Sequence, residues 1–263
     1  MPQLREEAKI PIRTALVGGG ATGIGRATAE CLARSGHRVV ITGRRADALT
    51  TAAGEIRQGT GAEVHPVAGD LRDPKPVQEV IKRFGAVDVL VLNAGGPPPG
   101  RITDVDDAHW QAAFELLVLG PLRLARLTMP RMAERGFGRV VFVTSTAVRQ
   151  PQPDLAASTV LRAAVTSAAK LLSLEFAARG VTVNCVAPGP TDTMRRREVL
   201  AARAQRNGSS FDAQEAQDLA TVPAGRAARP EEIGEVVSFL ASTAASYING
   251  TVLTVDGGRT ETI

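Results

Sequence analysis

Apolar residues fall in short runs separated by longer stretches with a helical rhythm. Seven strands are predicted from these runs: Thr14–Val17, Arg38–Thr42, Glu63–Val67, Val87–Leu92, Arg139–Thr144, Val181–Val186 and Val252–Val255. Between them, apolar positions return every three or four residues. Leu161, Val165, Ala168, Leu172 and Phe176 mark one face of such a helix. Another helix begins near Ile24 and ends at Ser35–Gly36, where glycine suits a helix exit. Strands that are apolar throughout must be covered on both sides. Their alternation with helices implies a parallel sheet built from right-handed crossovers. The expected fold class is therefore α/β: one doubly wound domain over residues 1–263, a seven-stranded parallel sheet with helices on both faces. Residues 1–11 read as an N-terminal extension. The least regular stretch, Thr191–Arg229, reads as a loop with one or two short helices. No internal repeat or low-complexity linker interrupts the pattern.

Composition narrows the class. A chain of 263 residues is long for one ordinary domain and short for two, but single α/β domains reach this size. A hydrophobic fraction of 44% and a charged fraction of 22% argue against disorder and against a coiled coil. No apolar run approaches the roughly 18 residues of a membrane span. The opening MPQLREEAKIPIR lacks the apolar stretch of a secretion signal, so a cytoplasmic protein without a membrane partner is expected. Cys31 in a helical pattern and Cys185 in a strand pattern read as buried free thiols rather than as a disulfide, and no metal is expected.

The charge balance is 31 basic against 27 acidic residues, and almost all of the basicity is arginine. One cluster stands out: Arg195, Arg196, Arg197, Arg203 and Arg206. A nucleic-acid surface would add aromatic stacking residues. The single tryptophan and single tyrosine, Trp110 and Tyr247, lie far from the cluster in sequence, so no nucleic-acid partner is expected.

The first strand runs directly into GGGATGIG and then a helix. Gly18, Gly20 and Gly23 fit G-x-G-x-x-G, and Gly19, Gly23 and Gly25 fit G-x-x-x-G-x-G. Such a loop makes a tight turn, lets a diphosphate approach the backbone and presents a helix N-terminus to it. The bland alternative is a tight strand-to-helix turn with no ligand. The second strand ends in VVITGRR, with Arg44 and Arg45 where an NAD site places a carboxylate. Arginine binds a 2′-phosphate through charge-assisted hydrogen bonds, so NADP(H) is the expected cofactor. Against this stands the reading of both arginines as solvated loop residues.

From about Ile12 to Gly258 the chain resembles the short-chain dehydrogenase/reductase family, and within it the acyl-carrier-protein reductase-like branch. GGGATGIG, AGDLRD, LNAG, GRVVFVTS, VTVNCVAPGPTDT and ASYINGTVLTVDGG carry the likeness, in the family's order. The resemblance implies a Rossmann-like domain. It implies cofactor contacts from Gly19, Ala21, Thr22, Gly23, Ile24 and Gly25, with Asp70 and Leu71 beside the adenine and Asn93, Ala94 and Gly95 under the ribose. Pro188, Gly189 and Thr193 would hold the nicotinamide end, and 191–229 would be the substrate lid. A homodimer or homotetramer is implied, with Tyr247 an interface or core residue rather than a catalytic one.

The catalytic positions depart from the family. It uses serine, tyrosine and lysine with a helix asparagine, the tyrosine thirteen residues after the serine and the lysine four further on. Here Ser145 is present, but Ser158 and Arg162 stand at the other two positions and Leu117 at the asparagine. Gly18 stands where threonine is usual. A phenol titrates near pH 10, whereas a serine hydroxyl is a far weaker acid. Arg162 can hold a ribose and stay cationic but does not share protons as lysine does. Loss of acid catalysis costs about 10²–10⁴ in rate. Ser145, Ser158 and Arg162 are the candidate catalytic residues, with Arg162 also expected on the cofactor. Ser158 and Arg162 lie one helical turn apart and should share a cleft. His109 beside Trp110 reads as a surface or packing residue. The Pro97–Pro99 run either shapes the cleft or makes a rigid surface turn. The arginine cluster either attracts a phosphopantetheine, a carboxylate or an acidic carrier protein, or is a solvated helix face. Two functions follow: an NADP(H)-dependent oxidoreductase of a carbonyl or alcohol such as a 3-oxoacyl thioester, or an impaired NADP(H)-binding protein acting as a sensor or oligomer partner.

Overall fold

The structure, a computed structural model, describes residues 12–262. The seven strands are β1 (Thr14–Gly18), β2 (Arg38–Gly43), β3 (Val64–Ala68), β4 (Val89–Leu92), β5 (Gly138–Val143), β6 (Val181–Pro188) and β7 (Val252–Val255). All pair in parallel, in the order β3-β2-β1-β4-β5-β6-β7. The order reverses between β1 and β4, and ligands in such sheets bind beyond the carboxyl ends of the strands at that point.

Helices α1 (Gly23–Arg34), α2 (Ala46–Thr60) and α9 (Pro230–Ala241) cover one face, where Leu32, Leu49, Ile56, Ile233 and Val237 pack on Val17, Ile41 and Val186. Helices α3 (Lys75–Phe84), α5 (Gly120–Glu134) and α6 (Ala156–Phe176) cover the other, where Val77, Leu124, Met129, Leu161 and Val165 pack on Leu16, Leu90 and Phe142. Each of these large side chains contributes about 1.5–3 kcal/mol on leaving water. The amphipathic spacing along α6 thus becomes a seam against the sheet. Cys31 and Cys185 are buried free thiols, as expected.

Several boundaries differ from expectation. β3 starts and ends one residue later, and Pro66 lies within it. β3 is an edge strand, so the missing N–H of Pro66 leaves no inner ladder bond unmade. β4 begins at Val89 rather than Val87, and β6 continues to Pro188. The stretch after β6 holds two full helices, α7 (Met194–Asn207) and α8 (Phe211–Ala220), rather than a loop with short pieces. Between α4 (Asp107–Phe114) and α5 the chain passes through a π-helical turn, Glu115–Leu119, with Leu117 buried in it. Tyr247 is fully exposed on the connection to β7, so it is not a core residue. The N-terminal extension 1–11 lies outside the described residues. No described helix is long and apolar enough to cross a membrane.

Candidate active site

The glycine loop joins β1 to α1 and is built for close approach. A Cβ on Gly25 would stand 2.2 Å from the Gly19 carbonyl oxygen, so a side chain there forces the loop open. Gly23 has φ +55°, and a Cβ on it would stand 3.2 Å from the Thr193 methyl. Thr22 is the N-cap of α1 but its side chain caps nothing, and the first turn holds no acidic residue. The first amides of α1 therefore keep their donors and meet no local negative charge, the condition for anion binding. Ala21 and Ile24 pack against the sheet core from the two sides of this turn. Asn93, at the end of β4, donates from Nδ2 to the Gly18 carbonyl at 3.0 Å and pins the two strand ends together.

Beside this cradle, Arg44 and Arg45 are exposed at the end of β2, and neither has a carboxylate within ion-pair distance among the described residues. Asp70 accepts hydrogen bonds from the Arg72 side chain and amide. Those bonds, with the nearby Arg44 charge adding to them, hold its carboxyl below the usual range. Leu71 closes the floor under Gly18. Gly95 faces open space: a Cβ on it meets nothing within 4 Å.

Ser145 follows β5 and caps a short 3₁₀ turn, its Oγ accepting from the Ala147 amide at 3.2 Å. Ser158 lies buried in the first turns of α6, and Arg162 one turn later. The Arg162 guanidinium donates to Ser158 Oγ at 3.2 Å, to the Val143 carbonyl at 2.6 Å and to the Ala94 carbonyl at 3.4 Å. One cation therefore ties α6 to the ends of β5 and β4. Burial, and secondarily the charge of Arg195, push it down to about 10. It stays charged at neutral pH. Ser158 and Arg162 are joined directly by their hydrogen bond.

The far wall comes from β6 and α7. Pro188 ends β6, and the Gly189 amide donates to Val255 at 2.9 Å while its α-carbon packs on Asp256. Thr193 caps α7, its Oγ1 accepting from the Arg196 amide at 3.3 Å. Arg195 reaches across to donate to the Pro97 carbonyl. Pro97 is buried and Pro98 exposed, and the Gly100 amide bonds to the Asp154 carbonyl at 2.8 Å, so the proline run is anchored at both ends with its middle at the surface.

The arginine cluster is not a solvated helix face. Arg196 has a side chain only 9% exposed and pairs with Glu215 at 2.6 Å and Asp218 at 3.1 Å. Arg203 pairs with Asp154 at 2.6 Å, and Arg206 reaches the same carboxylate at 3.1 Å. Only Arg197 remains largely in solvent. His109 is exposed and bonds back to Asp106, a surface role as expected. Sequence reasoning missed Asp154, Asp218 and the glutamines between Ser145 and Ser158, which carry no short-range motif. With α7, α8 and Arg259 they enclose a cavity of about 390 Å³.

A crevice at the reversal point of a parallel sheet, floored by a glycine turn, defines the class first: a doubly wound α/β protein of the dinucleotide-binding type. The family model described as enoyl-(acyl carrier protein) reductase matches residues 19–260. The chain belongs to that family, the short-chain dehydrogenases/reductases. It is 36% identical over 94% of its length to cis-4-hydroxycyclohexanecarboxylate dehydrogenase of Sinomonas cyclohexanicum, covering 96% of that protein. It is 34% identical to the 3-oxoacyl-[acyl-carrier-protein] reductase of Escherichia coli, over 94% of this chain and 96% of that one. L-sorbose reductase from Gluconobacter frateurii, solved with NADPH and L-sorbose, superposes with a TM-score of 0.89 at 32% identity, over 97% and 98% of the two chains.

Proposed function

We propose that this protein is an NADP(H)-dependent oxidoreductase acting on the carbonyl or alcohol of a small molecule, with Ser145, Ser158 and Arg162 in its active cleft. One observation carries the cofactor reading: Arg44 and Arg45 stand at the end of β2 without an ion partner among the described residues, next to a glycine turn that a single Cβ would block. The residues fit the group. The amides of α1 bind the diphosphate, Arg44 takes the 2′-phosphate, and Asn93, Ala94 and Gly95 border the ribose. When bound, the nicotinamide supplies or accepts a hydride. Similar structures solved with NADPH support the same choice.

In the reducing direction, Ser145 Oγ orients the carbonyl oxygen. Arg162 places a fixed positive charge where negative charge develops on that oxygen. The chain's single tyrosine is exposed at position 247, on the connection to β7, so it is not the proton donor of this site. The relatives' names support carbonyls on ring carboxylates, acyl thioesters and sugars as substrate types. Exposed Val160, Leu171 and Leu174 along α6 support association into a homodimer or homotetramer.

The test is a titration with NADPH and NADH, followed by nucleotide fluorescence. NADPH is expected to bind at least about tenfold more tightly, with Arg44→Ala closing the gap. Equal affinities would remove the NADP(H) assignment. The second reading, a nucleotide-binding sensor, rests on Leu117, Ser158 and Arg162 in the family's catalytic positions. Turnover that disappears in Ser145→Ala excludes it; tight NADPH binding with no hydride transfer to any carbonyl supports it.

A further inference from the structure

The cavity beside the cleft has a chemistry of its own. Thr146, the residue after Ser145, lines it, and so does Asp154, four residues before Ser158, while neither serine does. At about 390 Å³ it holds a molecule of six or so carbons. Four arginines and two aspartates line it, leaving two positive charges in excess. Arg101 is exposed and has no ion partner among the described residues. Arg206 is one-third exposed and shares Asp154 with Arg203.

The neutral polar groups point the same way. Gln150 accepts the Glu261 amide through Oε1 at 3.2 Å, and Gln152 accepts Arg203 through Oε1 at 2.9 Å. Both partners can only donate, which fixes the orientation of each side-chain amide. Each glutamine therefore keeps its Nε2 donors without a partner among the described residues. The Thr260 hydroxyl in the same wall is buried and unpartnered. Apolar lining is confined to prolines and methyl groups, so a long acyl chain finds no surface to bury.

We propose that this cavity binds the anionic end of a small hydroxylated substrate, a carboxylate or a phosphate monoester. Arg101 and Arg206 meet the charge, and Gln150 and Gln152 donate to its hydroxyl and acid oxygens. That the ligand is a substrate rests on the oxidoreductase reading; that it binds does not.

The experiment is calorimetric titration of the full chain with four probes: gluconate, sorbitol 6-phosphate, sorbitol and octanoate. Gluconate or sorbitol 6-phosphate is expected to bind at least about tenfold more tightly than sorbitol and octanoate, the tighter of the two identifying the anion. Arg101→Ala combined with Arg206→Gln should weaken that anion at least about tenfold with NADPH affinity unchanged. Arg101→Ala alone, at an exposed unpaired side chain, should show part of the loss without disturbing the fold. Sorbitol binding as tightly as the anions, octanoate binding best, no binding by any probe, or no loss in the double variant overturns the proposal. A parallel NADPH titration separates the two readings. Anion binding without NADPH binding keeps the cavity and sinks the cofactor assignment; NADPH binding without anion binding does the reverse.

Discussion

Arg162, a candidate site residue, is built into the protein's own packing. Its guanidinium satisfies two carbonyls at the ends of β4 and β5, and one of those bonds is 2.6 Å. Removing it leaves those carbonyls without their donors in a half-buried crevice. Arg162→Ala should therefore lose about 1–3 kcal/mol of stability, read by urea unfolding, in addition to any loss of activity. Arg162→Lys keeps the charge but cannot reach all three acceptors with one ammonium, so it should recover only part. The sequence spacing put this residue and Ser158 one helical turn apart, and a hydrogen bond of 3.2 Å joins them. It gave no sign that the carbonyls of Val143 and Ala94 would be the other acceptors, because main-chain carbonyls carry no motif.

At the scale of single elements, the turn into α1 was legible because its chemistry is local. Strand, glycines and helix follow one another within a dozen residues, and the backbone needs no distant partner to make the turn. Gly25→Ala should abolish nucleotide binding in a fluorescence titration while leaving far-UV circular dichroism unchanged, since the Cβ collides with the Gly19 carbonyl and not with the core. Helix α7 was less legible for the opposite reason. MRRREVLAARAQRN offers good helix formers, but it buries only Val199, Leu200 and Ala204, too few for a clear apolar stripe. Its arginines read as solvated because their acids are remote: Asp218 lies 22 residues from Arg196, and Asp154 lies 49 residues from Arg203. Strand β3 slipped by one position because an edge strand with only Val64 and Val67 fully buried gives a weaker apolar signal than a central one.

Across the whole molecule, charge does the fastening that apolar contact does elsewhere. The core is two ordinary layers on a parallel sheet, but α7 and α8 are held over its edge by Asp154, Asp218 and the arginines around them. Burial alone would raise the Asp154 carboxyl; hydrogen bonds and charge from Arg203, with Arg206, outweigh it and bring it below the usual range. A carboxylate lowered in the folded state contributes stability above its unfolded pKa and loses it as pH falls through the folded one. The pairing should thus be complete at neutral pH and fade below about pH 4. Thermal midpoints recorded against pH should show an acid slope that flattens in Asp154→Asn. An unchanged slope would place the acid sensitivity elsewhere.

The placement of α7 has a kinetic consequence. Its cap Thr193 rests on the glycine turn, Arg195 grips the loop after β4, and Arg203 and Arg206 grip the cavity wall. One helix thus touches both the glycine turn and the wall of the neighbouring cavity. A substitution that loosens α7 is therefore expected to speed the release of ligands from both places together, which stopped-flow release would read.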